Sequence, residues 1–272
     1  MPELPEVETI KKQLLKKVKG KTFKKVEVRL SKIVKTDLKS FKKEIVGAKI
    51  NNIKRRAKVL ILELSNNYAI MVHLKMSGQL IFQGQPSKHT HLIYYFTDGS
   101  KLIHNDMRQF GYVKLVPKDK LDDLLAKEEK YGPEPLDKNF TLNIFKQLLN
   151  KKKKSKIKPL LMDQTFIAGI GNLYADEILF EAGVLPTRII KSLKLQEIVK
   201  IYQSIKKILN LAVKYNGSSV DLYVDLEGKQ GKFAPLIKVY QREKEKCKRC
   251  GSEIKRVKIN SRSAHFCPKC QK

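Results

Sequence analysis

Residues 59–82, VLILELSNNYAIMVHLKMSGQLIF, decide how the N-terminal half folds. The apolar runs VLILEL (59–64), YAIMVHL (68–74) and GQLIF (78–82) have strand lengths, and polar or glycine-bearing turns separate them. Working outward, TFKKVEVRL (22–30), HLIYYF (91–96) and GYVKLV (111–116) read the same way. Short strands in close succession predict a β-sandwich or barrel. Ahead of them, Val7, Ile10, Leu14 and Val18 recur at helical spacing, with Pro5 and Glu6 suited to a first turn, so residues 5–18 predict a helix. Behind them, YGPEP (131–135) breaks the chain in a polar linker. Helical segments follow near 141–150, 158–164, 172–182 and 192–215, with no strand-like run between them. The tail from 217 is irregular, then basic, and carries every cysteine. The expected fold is therefore α+β and multidomain: a helix plus β-sandwich over 1–130, a helical domain over 131–225, and a loop with a cysteine module over 226–272.

The chain has 272 residues, of which 42% are hydrophobic, enough to exclude disorder as a whole-chain description. No run approaches the ~18–20 consecutive apolar residues of a membrane span. MPELPEVETI is acidic and lacks the basic start of a signal peptide, so a cytoplasmic protein is expected. The 57 Lys+Arg against 27 Asp+Glu leave a net charge of +30, which points to a polyanionic partner. Arg accounts for nine of those cations and Lys for 48. A lysine bias can come from genome composition, so the sparse guanidinium forks are the more informative charges.

Cys247-x2-Cys250 and Cys267-x2-Cys270, with sixteen residues between, have the spacing of a zinc ribbon. Two thiolate-bearing turns complete a closed tetrahedral site, so one structural Zn²⁺ is expected. Paired disulfides and a redox dithiol are the competing readings; the tight cluster in a chain without a secretory signal favours zinc. Residues 242–272 hold eleven Lys/Arg and three Glu, a net +8. Arg262 falls near the hairpin tip, either as a phosphate contact or as one more surface cation.

The first eight residues oppose this charge. Glu3, Glu6 and Glu8 stand there without a basic residue. Carboxylates complement a helix N-terminus, and that reading alone explains them. The sharper reading concerns Pro2. If Met1 is removed, the chain begins with a secondary amine whose reference pKa, about 8, leaves more of it neutral than a lysine. Such an amine can attack an electrophilic carbon and form an iminium, with Glu3 beside it as acid/base.

PELPEVET (2–9), the four-cysteine ribbon and LLMDQTFIAGIGNLYADEILFEAGVLP (160–186) together resemble the bacterial formamidopyrimidine-DNA glycosylases, essentially end to end. The resemblance implies an N-terminal β-sandwich, a helix–two-turn–helix domain and a zinc finger. It implies a bifunctional glycosylase/AP lyase of base excision repair that removes oxidised purines, formamidopyrimidines and 8-oxoguanine, by β,δ-elimination. The partner is then double-stranded DNA holding such lesions or abasic sites. A monomer, associated with the nucleoid through DNA and with no membrane partner, is expected.

By motif, Pro2 resembles the Schiff-base nucleophile and Glu3 the acid. Lys58, in RRAKVLIL, resembles the lysine that contacts the target phosphate and assists elimination. Arg262 resembles the zinc-finger arginine that clamps flanking phosphates. Extruding a base leaves a gap to fill; HLKMSG and HNDMRQFG resemble the family's wedge loops, with Met76, Arg108 and Phe110 inserted. For Met76 and Phe110 taken singly, core packing is the plain alternative. Asn172, in GIGNLYADE, is expected to cap the following helix and bind the strand near the lesion. Lys153, Lys158, His89 and Tyr240 match DNA-contacting positions. The Lys151–Lys154 run also reads as a solvated linker, and His89-x-His91 as paired histidines on one strand face.

Three departures bear on specificity. Gln109 stands where the wedge motif usually has Arg, Lys75 where Gly or Arg is common, and Asp221 where an Arg is usual in the loop expected to cover the flipped base.

Overall fold

The computed structural model describes residues 1–127 and 130–272. They form two compact units that do not follow chain order: Met1–Glu129 with Tyr215–Ala234, and Lys130–Lys214 with Pro235–Lys272. A linear division near 225 therefore differs from the folded units. The segment 215–234 belongs to the first because its backbone is hydrogen-bonded there: Glu6 accepts the Ser218 N–H, and Gln13 the Leu226 N–H.

The first unit opens with α1 (Leu4–Lys17), followed by β1 (Phe23–Val28), α2 (Leu38–Ile45) and β2 (Ile50–Arg56). Then come β3 (Val59–Leu64), β4 (Tyr68–His73), β5 (Gly78–Phe82), β6 (Thr90–Phe96), β7 (Lys101–Asp106), β8 (Tyr112–Pro117) and α3 (Lys118–Lys127). The strands make two four-stranded sheets, β1-β6-β7-β5 and β2-β3-β4-β8, antiparallel throughout. One core joins both sheets with Val7, Ile10 and Leu14 of α1 and its C-cap Val18, the four positions marked by helical spacing. The sandwich and the leading helix are as expected.

Two strands, β2 and β7, and the helices α2 and α3 lay outside the expected elements. In β2 the alternation is broken by a register shift between Ile50 and Asn52, and five of its seven residues are polar, leaving only Ile50 and Ile53 buried. The paired-histidine expectation also changes. His89 sits in the turn before β6, whereas His91 is buried on β6 and donates from Nε2 to the Asp106 carbonyl at 2.8 Å.

His104 on β7 is fully buried, and neither ring nitrogen has a hydrogen-bond partner among the described residues. Burial lowers its pKa to about 4, with Asp106 opposing and His91 adding to the shift. The unfolded chain protonates this ring near pH 6.5, but the folded chain resists until about 4. Stability is therefore complete above pH 6.5 and falls as the pH drops towards 4. For His104 the loss between pH 7 and pH 5 is about 2 kcal/mol, above the range where ordinary carboxylates titrate. Urea midpoints at the two pH values should show this fall, and His104→Leu should reduce it; an unchanged pH slope in the variant refutes the assignment.

The second unit contains α4 (Leu142–Asn150), α5 (Ile157–Met162), α6 (Asn172–Ala182), α7 (Leu195–Lys214) and a hairpin of β9 (Lys255–Ile259) and β10 (Arg262–Phe266). The amphipathic α7 packs on α6, which is buried nearly all round. Two adjacent carboxylates on α6 attach the cysteine module. Glu177 accepts the backbone N–H groups of Lys238, Val239 and Tyr240 at 2.9–3.0 Å. Asp176 accepts the N–H of His265 on β10, and its ring Nδ1–H, both at 3.0 Å.

Candidate active site and nucleic-acid contacts

Pro2, Glu3 and Glu6 are buried at the start of α1. Glu3 is the N-cap. Its backbone N–H donates to the Glu6 carboxylate at 2.8 Å, and the Glu3 carboxylate takes the reciprocal capping-box position. The other oxygen of Glu6 accepts the Ser218 N–H at 2.8 Å, so one buried carboxylate joins the helix start to the 217–223 loop. Sequence reading passed over this role of Glu6, although the Glu3-x-x-Glu6 spacing is its signal. Gly217, at φ +78°, cannot carry a Cβ there: the Glu6 side chain would lie 2.6 Å from it. Met1 is present, and its ammonium pairs with Asp221 at 2.8 Å.

Glu8 positions the next group. Burial works to raise its pKa, but hydrogen bonds from Lys11 and Arg55 hold the carboxyl below the usual range. Arg55 donates Nε–H to Glu8 and Nη1–H to the Ala57 carbonyl, both at 2.9 Å. That clamps the β2–β3 hairpin, in which Arg56 pairs with Val59 across the two-residue turn Ala57-Lys58. Ala57 sits at φ 52°, a costly conformation for a residue with a Cβ, and the turn holds Lys58 only 6% exposed. Lys58 also bears on His73: burial, then Lys75 and Lys58, lower that imidazole to about 3.

The residues expected to form the wedge stand at the end of the β5–β7 pair. Asp106, fully buried, accepts from Ser77 Oγ, from the Arg108 N–H at 3.2 Å and from the Gly111 N–H at 2.7 Å. Ser77 Oγ also accepts the Arg108 N–H at 2.9 Å, so the two loops are tied together. Gly111 is required: an added Cβ would meet Asp106 at 2.9 Å and the His73 carbonyl at 3.0 Å. The result is three side chains held outside the core, Met76, Arg108 and Phe110, with the Arg108 guanidinium 4.9 Å from the Phe110 ring centroid. Core packing is thus excluded for Met76 and Phe110, which are 36% and 55% exposed.

In the second unit, Arg262 opens β10 opposite Ile259, across the turn Asn260-Ser261. It is exposed, and no ion pair engages it among the described residues. A hollow of about 180 Å³ lies beside it, walled by Pro159, Met162 and Asn260 among others. Lys153 is exposed after α4, and Tyr240 is half-buried with its ring edge-on to His265. Two residues differ from expectation. Gly171, extended at φ −128°, is the N-cap of α6; Asn172 is its first residue, and its buried Oδ1 has no partner among the described residues. Lys158 is 1% exposed, paired with Asp176 at 2.7 Å and hydrogen-bonded to the Ser263 carbonyl. A cation enclosed in this way steadies the β10 backbone beside Arg262.

The four cysteine Sγ atoms lie within 4.8 Å of one another. Tetrahedral Zn–S bonds of about 2.3 Å imply S···S separations near 3.8 Å. Cys247–Cys270 at 4.0 Å and Cys250–Cys267 at 3.4 Å bracket that value and are far from disulfide length. Phe180, Val239 and Ile254 pack around the sulfurs. The donor set fits one structural zinc ion with no open position.

A sandwich with a buried acidic helix start, and a helical unit fused to a four-cysteine ribbon, define a helix–two-turn–helix zinc-finger protein. Comparison with known sequences is specific: the Formamidopyrimidine-DNA glycosylase N-terminal domain matches residues 1–113, its H2TH domain 131–224, and the zinc finger found in FPG and IleRS 244–272. The chain belongs to the formamidopyrimidine-DNA glycosylase family. The formamidopyrimidine-DNA glycosylase of Pelotomaculum thermopropionicum is 42% identical, over 100% of this chain and 99% of its own. Among solved structures, Lactococcus lactis Fpg bound to abasic-site DNA superposes with a TM-score of 0.93 at 38% identity, covering 99% of each chain. MutM in complex with DNA containing carbocyclic 8-oxo-G gives 0.91 at 38% identity, again over 99% of each.

Proposed function

We propose that this protein is a bifunctional DNA glycosylase/AP lyase that removes oxidised purines from duplex DNA in base excision repair. The observation that carries the reading is the buried Pro2-Glu3 start, bound through Glu6 to the 217–223 loop. With Met1 removed, the Pro2 nitrogen attacks C1′ of the damaged nucleotide and displaces the base, while Glu3 delivers the proton that opens the sugar. The resulting iminium acidifies the C2′ proton, and two successive eliminations expel the 3′ and then the 5′ phosphate. Lys58 holds the phosphate at the target, and Met76, Arg108 and Phe110 replace the extruded base.

Arg262, Lys153, Asn172 and Tyr240 bind backbone phosphates, with His89 as a further contact. The unpartnered Asn172 Oδ1 favours a hydrogen-bonding role at the start of α6. Zinc, when bound, cross-links the ribbon, and Arg262 takes its position from that hairpin. The protein acts as a monomer on cytoplasmic DNA. Excision of formamidopyrimidines and 8-oxoguanine is assigned from the family name and from the ligands of the solved relatives.

Borohydride trapping is the test. Protein lacking Met1 should form a covalent adduct with a duplex carrying 8-oxoguanine opposite cytosine, and protein retaining Met1 should not. Failure of the processed protein to trap on any oxidised-base or abasic duplex overturns the assignment.

A further inference from the structure

We propose that Met107 is a further apolar probe, pressing on the base-pair step beside the extruded nucleotide. The inference rests on the DNA-lesion reading above. Single exposed apolar side chains are ordinary, but clustered ones mark a binding surface. Gly78 and Asp106 are the last paired residues where β5 meets β7. Met107 is the first residue beyond the end of β7, and Met76 lies two residues before the start of β5. Met107 is 48% exposed, more than Met76 at 36%. At the same end, Gln79 of β5 donates to the Leu222 carbonyl at 2.7 Å, and the Leu222 side chain is 47% exposed.

The outward position of Met107 is enforced. Asp106 anchors the turn from both sides, and the left-handed φ of Gln109, 58°, turns that residue back to a half-buried position. Met107, Arg108 and Phe110 are left facing outward. An unbranched thioether conforms to irregular surfaces, and apolar side chains at a kinked step offset lost stacking. Arg108 supplies the adjoining positive charge for a polyanionic duplex.

The test compares Met107→Gln, of similar length but polar, with Met107→Leu on two duplexes of one sequence, undamaged or carrying a tetrahydrofuran abasic analogue. The Gln variant should bind the analogue duplex about tenfold more weakly, and the Leu variant within about twofold of wild type. Affinity for undamaged duplex should be equal in all three. Wild-type preference for the analogue that persists in Met107→Gln, or a Leu variant as weak as Gln, overturns the role of Met107 alone. A wild-type protein with no preference overturns the lesion reading and this inference with it.

Discussion

Glu3→Gln should lower base excision by about 10²–10⁴-fold, the usual contribution of a positioned general acid. The substitution isolates the proton. Gln keeps the length of the side chain and an acceptor oxygen at the N-cap, so α1 retains its capping contacts. Glu6 remains to receive the Glu3 backbone N–H and to hold Ser218. What is lost is a carboxyl, 4% exposed, on the residue next to Pro2. Single-turnover excision from an 8-oxoguanine duplex should collapse, whereas strand cleavage at a preformed abasic site, where the sugar is already open in part, should fall less. Affinity for an abasic-analogue duplex should stay within a fewfold. Wild-type excision by Glu3→Gln would remove Glu3 from the chemistry and return it to helix capping alone.

The contrast between Glu3 and Lys158 shows what could be read from sequence. Six strands announced themselves because continuous apolar runs such as VLILEL need burial on a sheet, whatever follows. β2, INNIKRR, was hidden by its register shift and its charged outer face. The candidate terminus stood out because acidic residues crowd one end of a +30 chain, but those carboxylates alone read as helix capping, and the family resemblance was needed to single out Pro2 and Glu3. Lys158 did not stand out. Its surroundings, KKKKSKIK, read as solvated cations, and its burial depends on Asp176, eighteen positions away and on another helix. Asp106 lay between these cases. Its hydrogen bond to the Arg108 N–H is an Asx turn that the residue type permits, but the Ser77 contact tying two loops together needs the folded sandwich. Partner choice across long sequence separation is the part that spacing does not carry.

Loss of the metal should unfold the ribbon and leave the helices standing. Cys250→Ser should abolish zinc retention and weaken DNA binding by about 10²-fold, with the salt dependence of binding falling by about one to three counterions. A hydroxyl is a poor zinc ligand, and a closed four-thiolate site has no water-bound position to fall back on. In zinc-finger peptides such a site supplies about 10–16 kcal/mol, most of what keeps so small a hairpin folded. The ribbon core beyond the sulfurs is slight, comprising Phe180, Val239 and Ile254. The loss should stay local. Glu177 still binds the backbone at 238–240, and Asp176 still neutralises Lys158. The α6–α7 pair does not use the sulfurs, so helical circular dichroism should be nearly unchanged while β9–β10 unravels and Arg262 loses its fixed position. Zinc released to a colorimetric chelator, measured alongside DNA titrations at several salt concentrations, checks each part. Full zinc loss with unaltered affinity and salt slope would place the ribbon outside the DNA contacts and leave Arg262 a surface cation.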